Sequence, residues 1–169
     1  RNIIVSNQAG RSNILSRLEN YGVKINSKDP KVQKILDEVK GREFSGYSYD
    51  GADASFELLA NKLLGKLPEY LKVKNYNVNV QKSDSIKTTA DVTFLIDGKE
   101  IKCSGSGNGP VNALDNAIRS NFKRVEKYYK YFSDLKLLDY KVRILNTGTG
   151  ATTRVLIEST DKSGKSWFT

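Results

Sequence analysis

Two glycine-rich segments carry the residues of this chain best suited to meeting a ligand. CSGSGNGPVNAL at 103–114 places Gly105, Gly107 and Gly109 ahead of Pro110, and NTGTGATTRV at 146–155 carries Gly148 and Gly150. Glycine permits tight turns and close backbone approach, and the free amides at a helix start attract anions. The first segment is not a nucleotide loop by pattern. It lacks the lysine of GxxxxGK[ST], and 105–110 reads GSGNGP where GxGxxG requires a third glycine. The Asn, Thr and Gly of the second segment are ordinary turn residues and need no function. Its place at a junction between two strands is what makes it a candidate. Tyr128, Tyr129 and Tyr131 beside Lys127 and Lys130 have the composition of a base-stacking platform. At helical spacing they read instead as amphipathic surface and core at a helix end.

The missing chemistry also sets bounds. The chain has no histidine and one cysteine, Cys103, which removes the commonest general base and excludes a Cys/His zinc site or a Cys-His dyad. No motif marks Ser-Lys or paired-carboxylate catalysis, so no catalytic or metal-ligating residue is assigned. A single cysteine forms no internal disulfide and gives no sign of an oxidising compartment. The net charge of +9 raises nucleic acid as a partner, but its distribution argues otherwise. Residues 1–66 hold 11 Lys/Arg against 8 Asp/Glu, and residues 67–169 hold 17 against 11. Acids are interspersed throughout, as on a solvated, mildly basic surface. No apolar run approaches the roughly 20 residues of a membrane span, and RNIIVSNQAG has no secretory core. A cytoplasmic protein without membrane or nucleic-acid partners is expected.

The elements that must position the glycine segments come in an order that occurs twice. LKVKNYNVNV at 71–80 alternates as a half-buried strand that includes Val73, Val78 and Val80. Strands at 88–96 and 99–105 follow across an Asp97-Gly98 turn, and then a helix-patterned run from Val111 to Tyr131. That run sets Val111, Leu114, Ile118, Phe122, Val125 and Tyr129 on one side. A strand near 138–146, another at 152–159, a DKSG turn at 161–164 and a strand start at 165–169 repeat the layout, without a second helix. The chain therefore reads as part of a larger protein, cut before a closing helix.

The first third is helical. Ser12 is a candidate cap for a helix to Tyr21 with Ile14, Leu15 and Leu18 on its face, ended by Gly22. Asp29-Pro30 starts a second helix with Val32, Ile35, Leu36 and Val39 as its stripe and Gly41 as its stop. Asp50 or Asp53 opens a third, with Ala52, Phe56, Leu59 and Leu63 on one face and Gly65 as its end. Three short helices enclose only a thin core, so this segment is expected to dock on something else. Pro68 marks the boundary with the αβ part.

VSNQAGRSNIL, EFSGYSYDGADASFELLANKLLG, GNGPVNALDNAIR and LLDYKVRILNTGTGATTRVLIEST together resemble the C-terminal part of the 2-isopropylmalate and homocitrate synthase family. GNGPVNALDNAIR is shared widely in that family, whereas GRSNIL and GYSYDGADASFELL lean toward its citramalate synthase branch. The resemblance implies an α+β chain: a helical linker over residues 1–66, then a regulatory domain over 67–169 of two βββα units, the second lacking its final helix. It also implies a parent enzyme with an N-terminal barrel that condenses acetyl-CoA with a 2-oxo acid using a divalent metal. That barrel and its metal are absent from this chain, so no cofactor is expected in it. The implied partners are a branched-chain amino acid (isoleucine, with leucine as the alternative), a second copy of the chain, and the catalytic barrel of the same parent. Carried over by position, the effector set is Val111, Asn112, Leu137, Tyr140, Ile144, Gly148, Gly150, Ala151 and Thr153. Asp139 is a candidate partner for the ligand's ammonium. Such a set offers an apolar cavity for a side chain, with hydroxyls and amides for a carboxylate.

Overall fold

A computed structural model describes residues 10–123 and 125–169. The VSNQA stretch of the first motif, and Arg124 within the expected long helix, lie outside the described residues. The helices are α1 (Arg11–Asn20), α2 (Pro30–Phe44), α3 (Asp53–Leu63), α4 (Pro110–Phe122) and α5 (Glu126–Asp134). The strands are β1 (Lys72–Lys82), β2 (Ile86–Ile96), β3 (Lys99–Gly107), β4 (Lys136–Ile144), β5 (Thr153–Thr160) and β6 (Ser166–Phe168), forming antiparallel sheets ordered β1-β2-β3 and β4-β5-β6. The α+β class and the repeated order of three strands are both present. Two compact units cut across chain order. One takes the chain up to Pro68 together with Lys136–Thr169, and the other is Glu69–Leu135.

In the first unit the expected helical stripes meet. Ile14, Leu18, Val32, Ile35, Val39 and Phe56 are wholly buried in one cluster, with Leu36, Tyr49, Leu59 and Ala60 completing it. This core is fuller than three short helices promised, because the 45–52 loop adds Tyr49 and Ala52. Asp29 caps α2 as expected, its carboxylate accepting from the Lys31 amide at 2.8 Å with Pro30 in the first turn. Ser12 does not cap α1; Gly10 holds that position without a side-chain bond. Gly41 does not end α2, which runs on to Phe44. A helical glycine costs only about 1 kcal/mol, and the Glu38–Arg42 pair at 2.7 Å spans it. The stop is instead Gly46 at φ 101, where the Gly46 and Tyr47 amides close back onto the Glu43 and Arg42 carbonyls.

In the second unit β2 turns into β3 through Asp97 and Gly98, both at positive φ, as the tightest hairpin turn requires. Ala90, Val92, Phe94 and Ile96 of β2 and Cys103 of β3 form the sheet side of a core that α4 closes with Ala113, Ala117 and Phe122. The expected continuous helix is instead two, α4 ending at Phe122 and α5 starting at Glu126. By then α4 has run about 20 Å. The turn brings Phe132 of α5 back to stack on Phe122 at 4.1 Å, and Arg119 donates to the Phe132 carbonyl at 3.3 Å. The helix face also differs from expectation. Ala113 and Ala117 hold its centre, Leu114 and Ile118 are only partly buried, and Val111 is half exposed. β1 is less buried than its alternation suggests. It is an edge strand, so Val78 packs on the core while Val73 and Val80 remain exposed.

The two sheets share a register. β1 bulges between Val73 and Asn75, and β4 bulges between Leu137 and Asp139. Beyond each bulge, Tyr76 faces Val92 and Val80 faces Thr88, as Tyr140 faces Ile157 and Ile144 faces Thr153. The repeat read in the order of elements thus extends to individual cross-strand pairs.

Candidate functional site

In the Glu69–Leu135 unit the glycines of GSGNGP are explained by packing. A Cβ on Gly105 would lie 2.4 Å from the Ala117 amide nitrogen, and one on Gly107 would lie 2.6 Å from that of Ala113. Both glycines let α4 lie directly on β3. Val111 and Asn112 form the first turn of α4, and Asn112 is already engaged. Its carbonyl oxygen accepts from the Asn108 amide at 3.2 Å and from Asn116 at 3.4 Å, and Asn116 also donates to the Ser106 carbonyl at 2.9 Å. The N-cap, Gly109, supplies no side-chain acceptor, which leaves first-turn amides without a side-chain cap.

The other seven predicted residues lie in the helix-and-sheet unit. Side chains alternate along a strand, and the bulge at Leu138 restores Leu137 to the face of Tyr140. Leu137, Tyr140 and Ile144 therefore share one face of β4, joined across the ladder by Thr153 of β5. Tyr140 is 50% exposed and Ile144 66%. Gly148, Gly150 and Ala151 lie in the hairpin loop beyond this face. Gly148 adopts φ 107, the Ala151 amide donates to the Gly148 carbonyl at 3.2 Å, and the Thr152 amide donates to the Asn146 side chain at 2.6 Å. Asp139 points to the opposite face, beside Lys141 Nζ at 3.4 Å.

Sequence reading missed Val142, Val155, Ile157 and Trp167, which the register sets on the same face as Tyr140. The alternation Tyr140-x-Val142-x-Ile144 was visible, but the hairpin register that adds Val155 and Ile157 was not.

The opposite face of this sheet carries Arg154. Its Nε donates to the Gly46 carbonyl at 2.7 Å and its Nη2 to that of Tyr47 at 3.4 Å. The same loop is held from the helical side by Arg17. This buried guanidinium donates to the Tyr49 carbonyl at 2.9 Å, pairs with Asp53 at 2.5 Å, and lies 4.4 Å from the centre of the Phe56 ring. Burial pushes the Glu43 carboxyl above the usual range, an effect that Arg17 and Arg154 partly offset. Between the 45–50 loop, α3 and the β4–β5 hairpin lies a cavity of about 910 Å³ that takes in Thr153 but none of the other predicted residues. Among the described residues no group of three or more His, Cys, Asp or Glu could hold a metal ion. Among the same residues no helix is long and apolar enough to cross a membrane.

A strand-hairpin-helix unit, a second sheet repeating its register and a helical segment packed on that second sheet define an α+β class of fold. Residues 50–169 match the LeuA allosteric (dimerisation) domain, and the chain belongs to that family. It is 42% identical over 99% of its length to an (R)-citramalate synthase of Geobacter sulfurreducens, and 42% identical over its whole length to one of Aquifex aeolicus. A 2-isopropylmalate synthase of Aquifex aeolicus is 29% identical over 92% of the chain. The chain spans about a third of the length of the two citramalate synthases, 32% of each.

Proposed function

We propose that this chain is the effector-sensing part of a citramalate synthase, a cytoplasmic acyltransferase joining acetyl-CoA to pyruvate on the way to isoleucine. Its barrel and divalent metal would lie in the remainder of the parent protein. In this reading residues 1–66 are the linker and 67–169 the regulatory domain, and two copies of the chain form a homodimer. The observation that carries the proposal is the identity with (R)-citramalate synthases across the full chain, higher than with the 2-isopropylmalate synthase. The shared face of Leu137, Tyr140, Ile144 and Thr153 supports it.

The effector is a branched-chain amino acid, isoleucine before leucine. Leu137, Tyr140 and Ile144 supply apolar surface for its side chain. Thr153 and the amides around Gly148, Gly150 and Ala151 supply polar partners for its carboxylate. Coupling to the helices has a physical route, because Arg154 follows Thr153 directly and holds the loop that opens α3. A ligand that binds one arrangement of that loop better than another shifts the equilibrium by its differential affinity, typically about 1–3 kcal/mol.

The test is calorimetric titration with isoleucine and with leucine. Saturable heat with isoleucine preferred is expected, although an apolar pocket separates the two by only about 1–3 kcal/mol. A preference for leucine would move the parent to 2-isopropylmalate synthesis. Tyr140→Ala should weaken binding about tenfold or more and leave the circular dichroism spectrum unchanged. Unaltered affinity would remove Tyr140 from the site.

A further inference from the structure

We propose that the cavity between the 45–50 loop, α3 and the β4–β5 hairpin is a second binding site, for a small organic anion with two or more negative charges. The site shares Thr153 with the effector reading above but does not rest on that reading. Its volume of about 910 Å³ falls within the range of small-molecule sites. Five of its lining residues are cationic, Arg42, Lys62, Lys141, Arg143 and Arg154, against one acid, Asp50.

Their partners show which charges remain available. Arg42 is held by Glu38 at 2.7 Å and Lys141 lies 3.4 Å from Asp139. Arg154 spends its donors on the Gly46 and Tyr47 carbonyls, which fix the guanidinium without an ion pair. Among the described residues Lys62 and Arg143 make neither an ion pair nor a side-chain hydrogen bond to another side chain or the backbone. A concave wall carrying unmatched cations concentrates field and favours an anion. The arginine fork suits either a carboxylate or a phosphate. Leu58, Leu59, Leu67 and Leu156 give the same cavity an apolar portion, so an inorganic anion fills only part of it. Ser55, in the first turn of α3, adds a hydroxyl at an N-terminus whose cap, Ala52, offers no side-chain acceptor.

The probes are pyrophosphate and citrate, each titrated into the full chain by calorimetry and by thermal shift at a fixed ionic strength of about 0.15 M, where long-range attraction is screened. Saturable binding and a rise in melting temperature beyond that of matched chloride are expected for at least one of them. Tighter binding of pyrophosphate would assign the site to phosphate esters, and tighter binding of citrate to polycarboxylates. The double variant Lys62→Gln/Arg143→Gln removes two exposed groups, so its fold should persist, and its affinity should fall about tenfold or more. Lys87→Gln/Lys99→Gln, in the Glu69–Leu135 unit, should bind as the parent does. No saturable binding of either probe overturns the proposal. So does unchanged affinity in the first pair, or an equal loss in both pairs, which would mark attraction to net charge alone. Isoleucine heat measured on the same variants tells failure of this site from failure of the effector site.

Discussion

At the scale of single residues, the glycines divide into those that need space and those that need backbone freedom. Gly105 belongs to the first kind, since its Cβ would meet the backbone of α4 at Ala117 and Asn116. Helix backbone cannot rotate aside as a side chain can. Gly105→Ala is therefore expected to lower stability by about 1–3 kcal/mol, read as an earlier midpoint in urea unfolding. A midpoint equal to the parent's would show that α4 shifts freely on the sheet. The sequence displayed the glycines of GSGNGP but could not say why they were there. A phosphate loop and a close helix crossing both call for residues without a Cβ, and only the neighbouring backbone distinguishes them. Asn112 shows the same limit. It was assigned to the effector by position alone, whereas its hydrogen bonds to Asn108 and Asn116 give it a structural role in closing the turn.

Elements were most legible where periodicity and capping agreed. Asp29-Pro30 located the start of α2, and Val32, Ile35, Leu36 and Val39 proved to be its buried stripe. Boundaries set by a lone glycine were less secure, because a helical glycine costs only about 1 kcal/mol and the Glu38–Arg42 pair spans Gly41. With no atom within 4 Å of a Cβ at that position, Gly41→Ala should raise stability by about 0.5–1 kcal/mol. A thermal melt at or below the parent's would mean that α2 needs the glycine for a bend. The break between α4 and α5 was not legible, because Val125 and Tyr129 continue the stripe of α4 in sequence. What accompanies it is a tertiary contact that pattern does not encode, the stacking of Phe132 on Phe122. The exposure of Val73 and Val80 has a similar origin. The bulge after Val73, which alternation does not reveal, puts them on one face, and strand order shows that β1 lies at the edge.

At the scale of the whole molecule, one contiguous unit of chain sits between the two parts of a discontinuous one. The Glu69–Leu135 stretch holds a complete core of sheet and helix. Expressed alone, it should retain strand and helix dichroism and melt cooperatively, though at the low stability of a domain of its size. A non-cooperative melt would show that its core depends on the flanking chain. Residues 10–68 without 136–169 should lose order in the 45–52 loop, because Arg154 is then missing from its carbonyl contacts. The same discontinuity has a consequence during synthesis. The helices leave the ribosome first, yet their sheet follows only after about 67 further residues. At about 5–20 residues per second that is a delay of roughly 3–13 s. For that interval the loop held by Arg154 has no anchor and the side of α3 that contacts β6 has no cover, so the nascent helices are open to chaperones or to one another. Rare codons within 69–135 would lengthen that interval, and their placement would affect yield without altering a single residue of the finished fold.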